Sequence, residues 1–194
     1  REYAMPLAAL AIVLALLGSR LTGPPVPVVD PPSVSATPGA GAAALILGKD
    51  KKKWKAVLEY TSSYSSDTPD FWRRQGARYP SHAGRFTGEP AYFKHVIEGT
   101  RRFLELTQLK ISDFVYVVLH MPNGKFPQRA AKKLGVTDKQ LAAGLVVEEI
   151  GNPYSASSLI GLCRVLDRAK RGERVLVTSY GSGAGSDSFS FVGV

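Results

Sequence analysis

The sequence predicts a layered α/β fold, because short apolar runs of strand length alternate with longer segments whose apolar residues recur at helical spacing. The clearest strand covers residues 115–119, a continuous β-branched-rich run typical of a strand buried on both faces. The clearest helix begins at Pro90 and places its apolar residues on one face; these are Phe93, Val96, Ile97, Thr100, Phe103 and Leu104. A chain of 194 residues, 44% of them hydrophobic, can form one domain with its own core.

The first third of the chain is less regular. An apolar stretch over residues 4–18 favours a buried core helix over a signal peptide, and it is too short for a comfortable membrane span. Residues 22–38 contain six prolines and predict a loop or an imperfect strand. Residues 42–47 predict a short buried strand and residues 54–64 a longer one. The aromatic residues within 67–89 indicate a long but ordered loop.

Helices and strands also alternate in the last third of the chain. The predicted helices cover residues 127–135, 137–144 and 155–169, and the predicted strands cover 174–179 and 188–194. The last of these helices is amphipathic and should turn four residues inward: Leu159, Leu162, Cys163 and Leu166. The division that follows is a helix and proline-rich segment over residues 1–38 and a domain over residues 39–194.

The net charge of +9 indicates an anionic partner, either nucleic acid or a phosphorylated small molecule, or else solvated surface charge that keeps the protein soluble, which is the interpretation favoured for most of the basic groups. No aromatic-rich RNA-binding signature accompanies the basic residues. The single cysteine, Cys163, excludes an internal disulfide and any cysteine-rich zinc site. The three histidines lie far apart in sequence, so no metal site is expected.

Three polar residues each follow an apolar strand or extended run: His120, Asn152 and Ser182. Such ends converge on the ligand crevice of an open α/β sheet, so these side chains are candidates for one site. The loop YGSGAGSD that contains Ser182 is not a dinucleotide-binding loop, because a strand rather than a helix follows it. Its glycines should either let backbone N–H groups approach a ligand oxygen or form a tight hairpin. The alternative for the segment after Asn152 is helix capping by Ser155.

The archaeal type of 3-hydroxy-3-methylglutaryl-CoA synthase, a member of the thiolase superfamily, closely resembles this chain over four stretches: SDTPDFWRRQGARYPSHAGRFTGEPAYFKHVI, HMPNGKFPQRAAKKLG, EEIGNPYSASSLIGL and TSYGSGAGSDSFSF. The resemblance covers about residues 36–194. The motifs DFWRR and GRFTGEPAYFKH separate this group from ordinary ketoacyl synthases.

The resemblance implies a five-layered αβαβα thiolase fold, of which this chain supplies mainly the C-terminal half. It also implies the condensation of acetyl-CoA with acetoacetyl-CoA, followed by hydrolysis of an enzyme thioester, in the mevalonate route to isoprenoids. The CoA thioesters are substrates, and no separate cofactor is implied. A cytoplasmic enzyme without a membrane or nucleic-acid partner is expected.

The same resemblance assigns roles to individual residues. His120 matches a histidine that assists as acid/base at the acetoacetyl ketone, a role that suits a near-neutral pKa. Three positions match residues that bind CoA: Arg85, Lys125 and Arg129. Four further positions match residues that contact the acyl substrate beside His120: Thr37, Thr87, Asn152 and Ser182.

The family's nucleophilic cysteine and glutamate base have no counterpart in this chain. Tyr3 falls near the place of the cysteine, and Cys163 lies where the family has no catalytic residue, so it is expected to be an inert thiol. The chain is then a fragment, one half of a split enzyme, or a degenerate non-catalytic paralogue.

Two main functions and one minor one follow. The first is an enzyme or enzyme half, and the second is a non-catalytic subunit that scaffolds a thiolase/synthase assembly. The third, motivated only by charge, is a nucleic-acid binder. Expected partners are a second copy or a companion thiolase-fold chain, an acetoacetyl-CoA thiolase, and a zinc-ribbon/OB-fold protein.

Overall fold

The computed structural model describes residues 11–13, 39–68, 70–182 and 185–194. Within these residues the strands are β1 Ala11–Val13, β2 Ile46–Leu47, β3 Ala56–Tyr64, β4 Phe71–Trp72, β5 Ser81–His82, β6 Tyr116–Leu119, β7 Arg174–Thr178 and β8 Ser186–Gly193. Six of them form one mixed sheet in the order β2-β1-β3-β8-β7-β6, and β4 pairs with β5 separately. Only β6 and β7 run parallel, and every other neighbouring pair in the described sheet is antiparallel.

The α-helices among the described residues are α1 Phe93–Thr107, α2 Lys125–Leu134, α3 Asp138–Ala142, α4 Val147–Ile150 and α5 Ser157–Leu166. Short 3₁₀ turns lie at Lys51–Lys53, Gly84–Thr87, Ile111–Asp113 and Tyr154–Ala156, and a π-helical segment at Gly88–Tyr92 leads into α1. Helix α2 begins two residues before the predicted Pro127, because the Asn123 side chain accepts hydrogen bonds from the backbone N–H groups of Lys125 and Phe126. It ends as predicted at Gly135, whose φ of 74° is left-handed.

The sheet is covered on both faces, as the apolar run at residues 115–119 predicts. Val117 and Leu119 face the core formed with α1 and α2, whereas Val118 faces the core formed with α5. This alternation makes three layers, helix–sheet–helix, across β6 and β7. The inward face predicted for α1 is confirmed, since Phe93, Val96, Ile97, Thr100 and Phe103 are buried and Leu104 is partly buried.

A bulge in β3 places a carboxylate across the sheet. The register with β8 shifts between Leu58 and Tyr60, so Glu59 is the extra residue. Its carboxylate accepts two hydrogen bonds from Arg174 of β7, at 2.8 and 2.9 Å, and one from Ser190 of β8 at 3.0 Å. The hydrogen bonds from Arg174 are the main cause that lowers the pKa of Glu59 below its ordinary value. One side chain thereby joins three strands.

We predict that Glu59→Gln lowers the free energy of unfolding by about 1–2 kcal/mol at neutral pH, because Arg174 loses a bidentate charged partner. Since the native pKa of Glu59 is depressed, this contribution is present above the ordinary value of 4.5 and is lost as the pH falls through the native pKa. Urea unfolding at pH 7 measures the change. Glu98→Gln is the control, because the Glu98–Arg101 pair is about half exposed and should contribute less than about 0.5 kcal/mol. Equal losses in the two variants would contradict the role given to the bulge.

Three predictions about local structure are wrong. Ala11–Val13 form a strand instead of part of a helix, and the rest of residues 4–18 lies outside the described residues, as do residues 22–38. A short apolar run does not distinguish a helix from a strand by periodicity, and Ile12 and Val13 are β-branched. In the segment 42–47 only Ile46–Leu47 is a strand, and both side chains are about half exposed. In α5, Leu159 is 37% exposed, whereas Leu162 and Leu166 are buried as predicted.

The strands predicted over 54–64, 174–179 and 188–194 are confirmed as β3, β7 and β8, with ends that differ by one or two residues. The loop over 67–89 is ordered in its described part: it contains β4, β5 and a 3₁₀ turn. The domain division at residue 38 stays a prediction.

Candidate active site

His120 lies directly after β6, where its backbone is held on both sides. Its N–H donates to the carbonyl of Thr178 at the end of β7, at 2.9 Å, and its carbonyl accepts from the Tyr92 hydroxyl at 2.7 Å. The next residue, Met121, donates its N–H to the hydroxyl of Ser157 at the start of α5. A cavity of about 390 Å³ opens here, which we call the His120 cavity; its walls include Tyr64, His120, Ser158, Tyr180, Gly181 and Gly185.

The His120 ring is shielded from water by aromatic neighbours. It is 8% exposed, and its centroid lies 5.9 Å from that of Tyr180 and 6.5 Å from that of Tyr92. Burial lowers the pKa of His120 from 6.5 to about 4, because the charged form would lose its hydration. The expectation of a near-neutral pKa is therefore wrong in this chain, since sequence alone did not show the enclosing rings. At pH 7 the ring is a neutral imidazole with one N–H donor and one acceptor nitrogen.

We predict that this buried ring makes the protein less stable in mild acid. In the unfolded chain His120 binds a proton near pH 6.5, but in the folded chain only near pH 4, so the unfolded state binds more protons between these values. The free energy of unfolding should then fall by up to about 3 kcal/mol as the pH drops through that window. Chemical denaturation at a series of pH values measures it, and His120→Gln should show a flatter dependence.

The control variant is His82→Gln, which should keep the slope of the parent, because His82 is exposed and is not among the described walls of the His120 cavity. The same pH slope in the parent and in His120→Gln would contradict the assignment to His120.

Tyr180 is the most important site residue that sequence reasoning missed. Its hydroxyl donates to Asp70, which is fully buried, at 2.9 Å, and also forms a hydrogen bond with the Ser182 side chain. Burial raises the pKa of Tyr180 further above the range in which it could ionise at neutral pH. Its position in the sequence could have indicated a role in the site. Tyr180 stands at the start of the loop that follows β7, and binding residues are often found on loops that a rigid sheet positions.

The glycine-rich loop is a hairpin between β7 and β8, as one of the two alternatives predicted. Gly181 and Gly185 pair across it with two backbone hydrogen bonds of 2.8 and 3.1 Å. Gly185 has a φ of 155°, and a Cβ there would lie 2.4 Å from the carbonyl oxygen of Tyr64. Only glycine fits this approach of the loop to the end of β3.

A second, open groove of about 670 Å³ runs beside α2 and is called here the basic groove. Its walls are Lys125, Gln128, Arg129, Lys132, Val136, Thr137 and Asp138. Three cations against one carboxylate give it a positive potential suited to phosphate. Arg129 is oriented by Glu89 at 3.7 Å and by the Phe93 ring, 4.5 Å from its guanidinium carbon. Two of the three predicted CoA-binding residues, Lys125 and Arg129, therefore lie in one groove.

Two more of the predicted binding residues, Arg85 and Thr87, lie on the segment of residues 71–88, which we call the arm. Arg85 is exposed on the 3₁₀ turn, and Thr87 bonds to the ring of His82 at 2.7 Å. Gly88, at the end of the arm, lies so close to Phe126 that a Cβ would be 2.7 Å from its ring. The arm is thereby packed against α2, the helix that carries Lys125 and Arg129.

The remaining predicted site residues have different positions. Ser182 is linked to His120 through Tyr180, whose hydroxyl bonds to the Ser182 side chain. Asn152 follows helix α4, so the expectation that it follows an apolar strand or extended run is wrong. The Asn152 side chain accepts from the N–H of Tyr154, and Ser155 makes no capping bond to α5. Asn152 and Thr87 are not among the walls of the His120 cavity in the described part of the chain. Thr37 lies outside the described residues.

The described residues contain neither a candidate metal site nor a candidate membrane-spanning helix. No group of three or more histidine, cysteine, aspartate or glutamate side chains could hold a metal ion there. No described helix is both long and apolar enough to span a membrane.

Comparison with known proteins connects this geometry to a family. Residues 104–191 match the family model described as 3-oxoacyl-[acyl-carrier-protein] synthase III C terminal. A hydroxymethylglutaryl-CoA synthase of Methanopyrus kandleri is 55% identical over 156 residues, which are 80% of this chain and 44% of that protein. One from Methanocella arvoryzae is 56% identical over 153 residues, 79% of this chain and 44% of that protein.

A solved structure agrees on the fold. The crystal structure of an HMG-CoA synthase complexed with CoA superposes with a TM-score of 0.62 at 23% identity, and the match covers 72% of this chain and 39% of that one. This chain spans less than half the length of the curated relatives that it matches. Over about four-fifths of its length the chain is similar to archaeal hydroxymethylglutaryl-CoA synthases, and residues 104–191 match a synthase III C-terminal domain.

Proposed function

We propose that this chain provides the acid/base histidine and the CoA-binding surface of a hydroxymethylglutaryl-CoA synthase, which condenses acetyl-CoA with acetoacetyl-CoA. The observation that carries the proposal is the arrangement around residues 120–129. A buried imidazole ends β6, and five residues later α2 begins and presents cations to an open groove. A thioester ligand needs both environments, since its acyl end reacts away from water and its phosphates stay solvated.

His120 acts in its neutral form. Its single ring N–H donates a hydrogen bond to the ketone oxygen of the acetoacetyl group, where negative charge develops as the new C–C bond forms. In a site with little water this bond stabilises the oxyanion more than it would in solution. The family's glutamate removes one proton from the acetyl methyl group and becomes a glutamic acid, and this proton is the one returned to the alkoxide after the C–C bond has formed. The His120 N–H holds the oxygen by a hydrogen bond throughout, so the proton count balances without an imidazolium.

The acetyl group would be carried by a cysteine outside this chain's described site. Cys163 is half-buried on α5, and burial, followed by the nearby charge of Asp167, raises the pKa of its thiol. A raised pKa leaves little thiolate, the form that attacks a thioester. Several expectations about the surroundings of this chain stay predictions. They are the companion chain that supplies the cysteine and the glutamate, a dimer, a thiolase partner, a zinc-ribbon/OB-fold partner, and a cytoplasmic location.

We predict that Lys125→Ala, Arg129→Ala and Arg85→Ala each weaken CoA binding on the order of 1–3 kcal/mol, because each removes a charge-assisted contact to a phosphate. Isothermal titration calorimetry with CoA at two salt concentrations measures the loss, and each variant should also reduce the salt dependence of binding.

The matched control is Lys53→Ala, which removes an equal charge from an exposed pair with Asp50. If the three variants bound CoA like the parent, or if Lys53→Ala lost as much, the assignment of CoA to the basic groove and the arm would be wrong.

We also predict that this chain binds acetyl-CoA without becoming acetylated. Incubation with isotope-labelled acetyl-CoA, acid quench and intact-mass analysis should show no stable adduct, because Cys163 has little thiolate to offer. Cys163→Ser serves as the comparison. An adduct that is present in the parent and absent in Cys163→Ser would make Cys163 the nucleophile and overturn this part of the proposal.

A further inference from the structure

A second buried histidine, His95 on α1, lies behind the wall of the His120 cavity. It is 1% exposed, and its Nδ1 lies 2.8 Å from the carbonyl oxygen of Ala91. A carbonyl can only accept, so Nδ1 carries the proton and Nε2 is an acceptor. The hydroxyls of Ser66 and Thr68 lie 3.2 and 3.4 Å from Nε2 and can donate to it. His95 thus joins α1 to residues 65–68, which we call the strap.

The ring of Tyr180 lies between the two buried histidines. Its centroid is 5.6 Å from that of His95 and 5.9 Å from that of His120, and the His120 contact is edge-to-face. The Tyr64 ring packs edge-on against His95 at 5.7 Å, from the side of β3. Rings at these separations restrict one another's orientation.

A residue close in sequence to the strap, Asp70, contacts the hydroxyl end of Tyr180. Thr68 is two residues before Asp70, the buried carboxylate that accepts from the Tyr180 hydroxyl at 2.9 Å. His95 therefore acts on Tyr180 by direct ring contact, and it also contacts Thr68, which is close in sequence to Asp70. Among the described residues that line the His120 cavity the carboxylate is Asp187, which is exposed and accepts a hydrogen bond from the Ser63 hydroxyl at 2.6 Å.

We propose that His95 is a positioning residue for His120, acting through the ring of Tyr180. The importance of this role for catalysis rests on the proposed function. The effect of His95 on the surroundings of the His120 ring does not. His95 is not itself one of the described residues that line the basic groove or the His120 cavity. Its removal frees Tyr180 to tilt, and water then reaches the His120 ring.

The test is an NMR titration of the His120 imidazole, with ¹⁵N-labelled histidine, in the full chain well below its unfolding temperature. His95→Ala is expected to move the titration of His120 upward by at least about one pH unit, toward its ordinary value, because added water stabilises the charged ring. His95→Gln keeps an acceptor within reach of Ser66 and Thr68, and it should restore at least half of the shift.

Val96→Ala is the matched control, because Val96 is the next residue on α1, is fully buried, and packs into the core. It should lower the melting temperature and leave the His120 titration unchanged. If His95→Ala does not fold, Thr68→Val decides, since it removes a strap hydroxyl from His95 and should produce an upward shift of the same sign. A His120 titration identical to the parent in the folded variants, or one equally shifted in Val96→Ala, would overturn the proposal. Acyl-CoA binding, measured separately on each variant, reports on the proposed function independently.

Discussion

The parallel pairing of β6 with β7 is the constraint on which the rest of the site depends. It continues one residue beyond β6, where the His120 N–H bonds to the carbonyl of Thr178, so the ring leaves the sheet at a fixed point. The same two strands lead into α2 and into the glycine hairpin. The buried ring, the basic groove and Tyr180 are therefore positioned by one short piece of sheet, whose own register is supported by helices on both faces.

Two electrostatic environments meet at this sheet end. His120 is desolvated, and its pKa is lowered to about 4, whereas Lys125 and Arg129 are exposed in an open groove. A buried neutral donor and a set of solvated cations make opposite demands on water. The chain separates them within ten residues, because Asn123 turns the backbone out of the core and starts α2.

The sequence predicted several of the elements that position the site. The continuous apolar run at residues 115–119 predicted a strand covered on both faces, and Gly135 predicted the end of α2. The apolar residues near the chain start were misread because Ala11–Val13 pair with β3, a long-range contact that no local pattern reveals. The His120 pKa and the role of Tyr180 were missed for the same reason. The burial of His120 involves the ring of Tyr92, and the position of Tyr180 involves the carboxylate of Asp70; these residues are distant in sequence from their partners and close only after folding.

The central claim is that acyl-CoA bound at the basic groove places its acyl end at His120. The most direct measurement follows the ¹⁵N resonances of the His120 ring while acetoacetyl-CoA or CoA is added to the full chain. The account predicts that acetoacetyl-CoA perturbs the ring N–H strongly, whereas CoA, which lacks the ketone, perturbs it much less at equal saturation. Saturating binding of acetoacetyl-CoA with an unchanged His120 spectrum would contradict it.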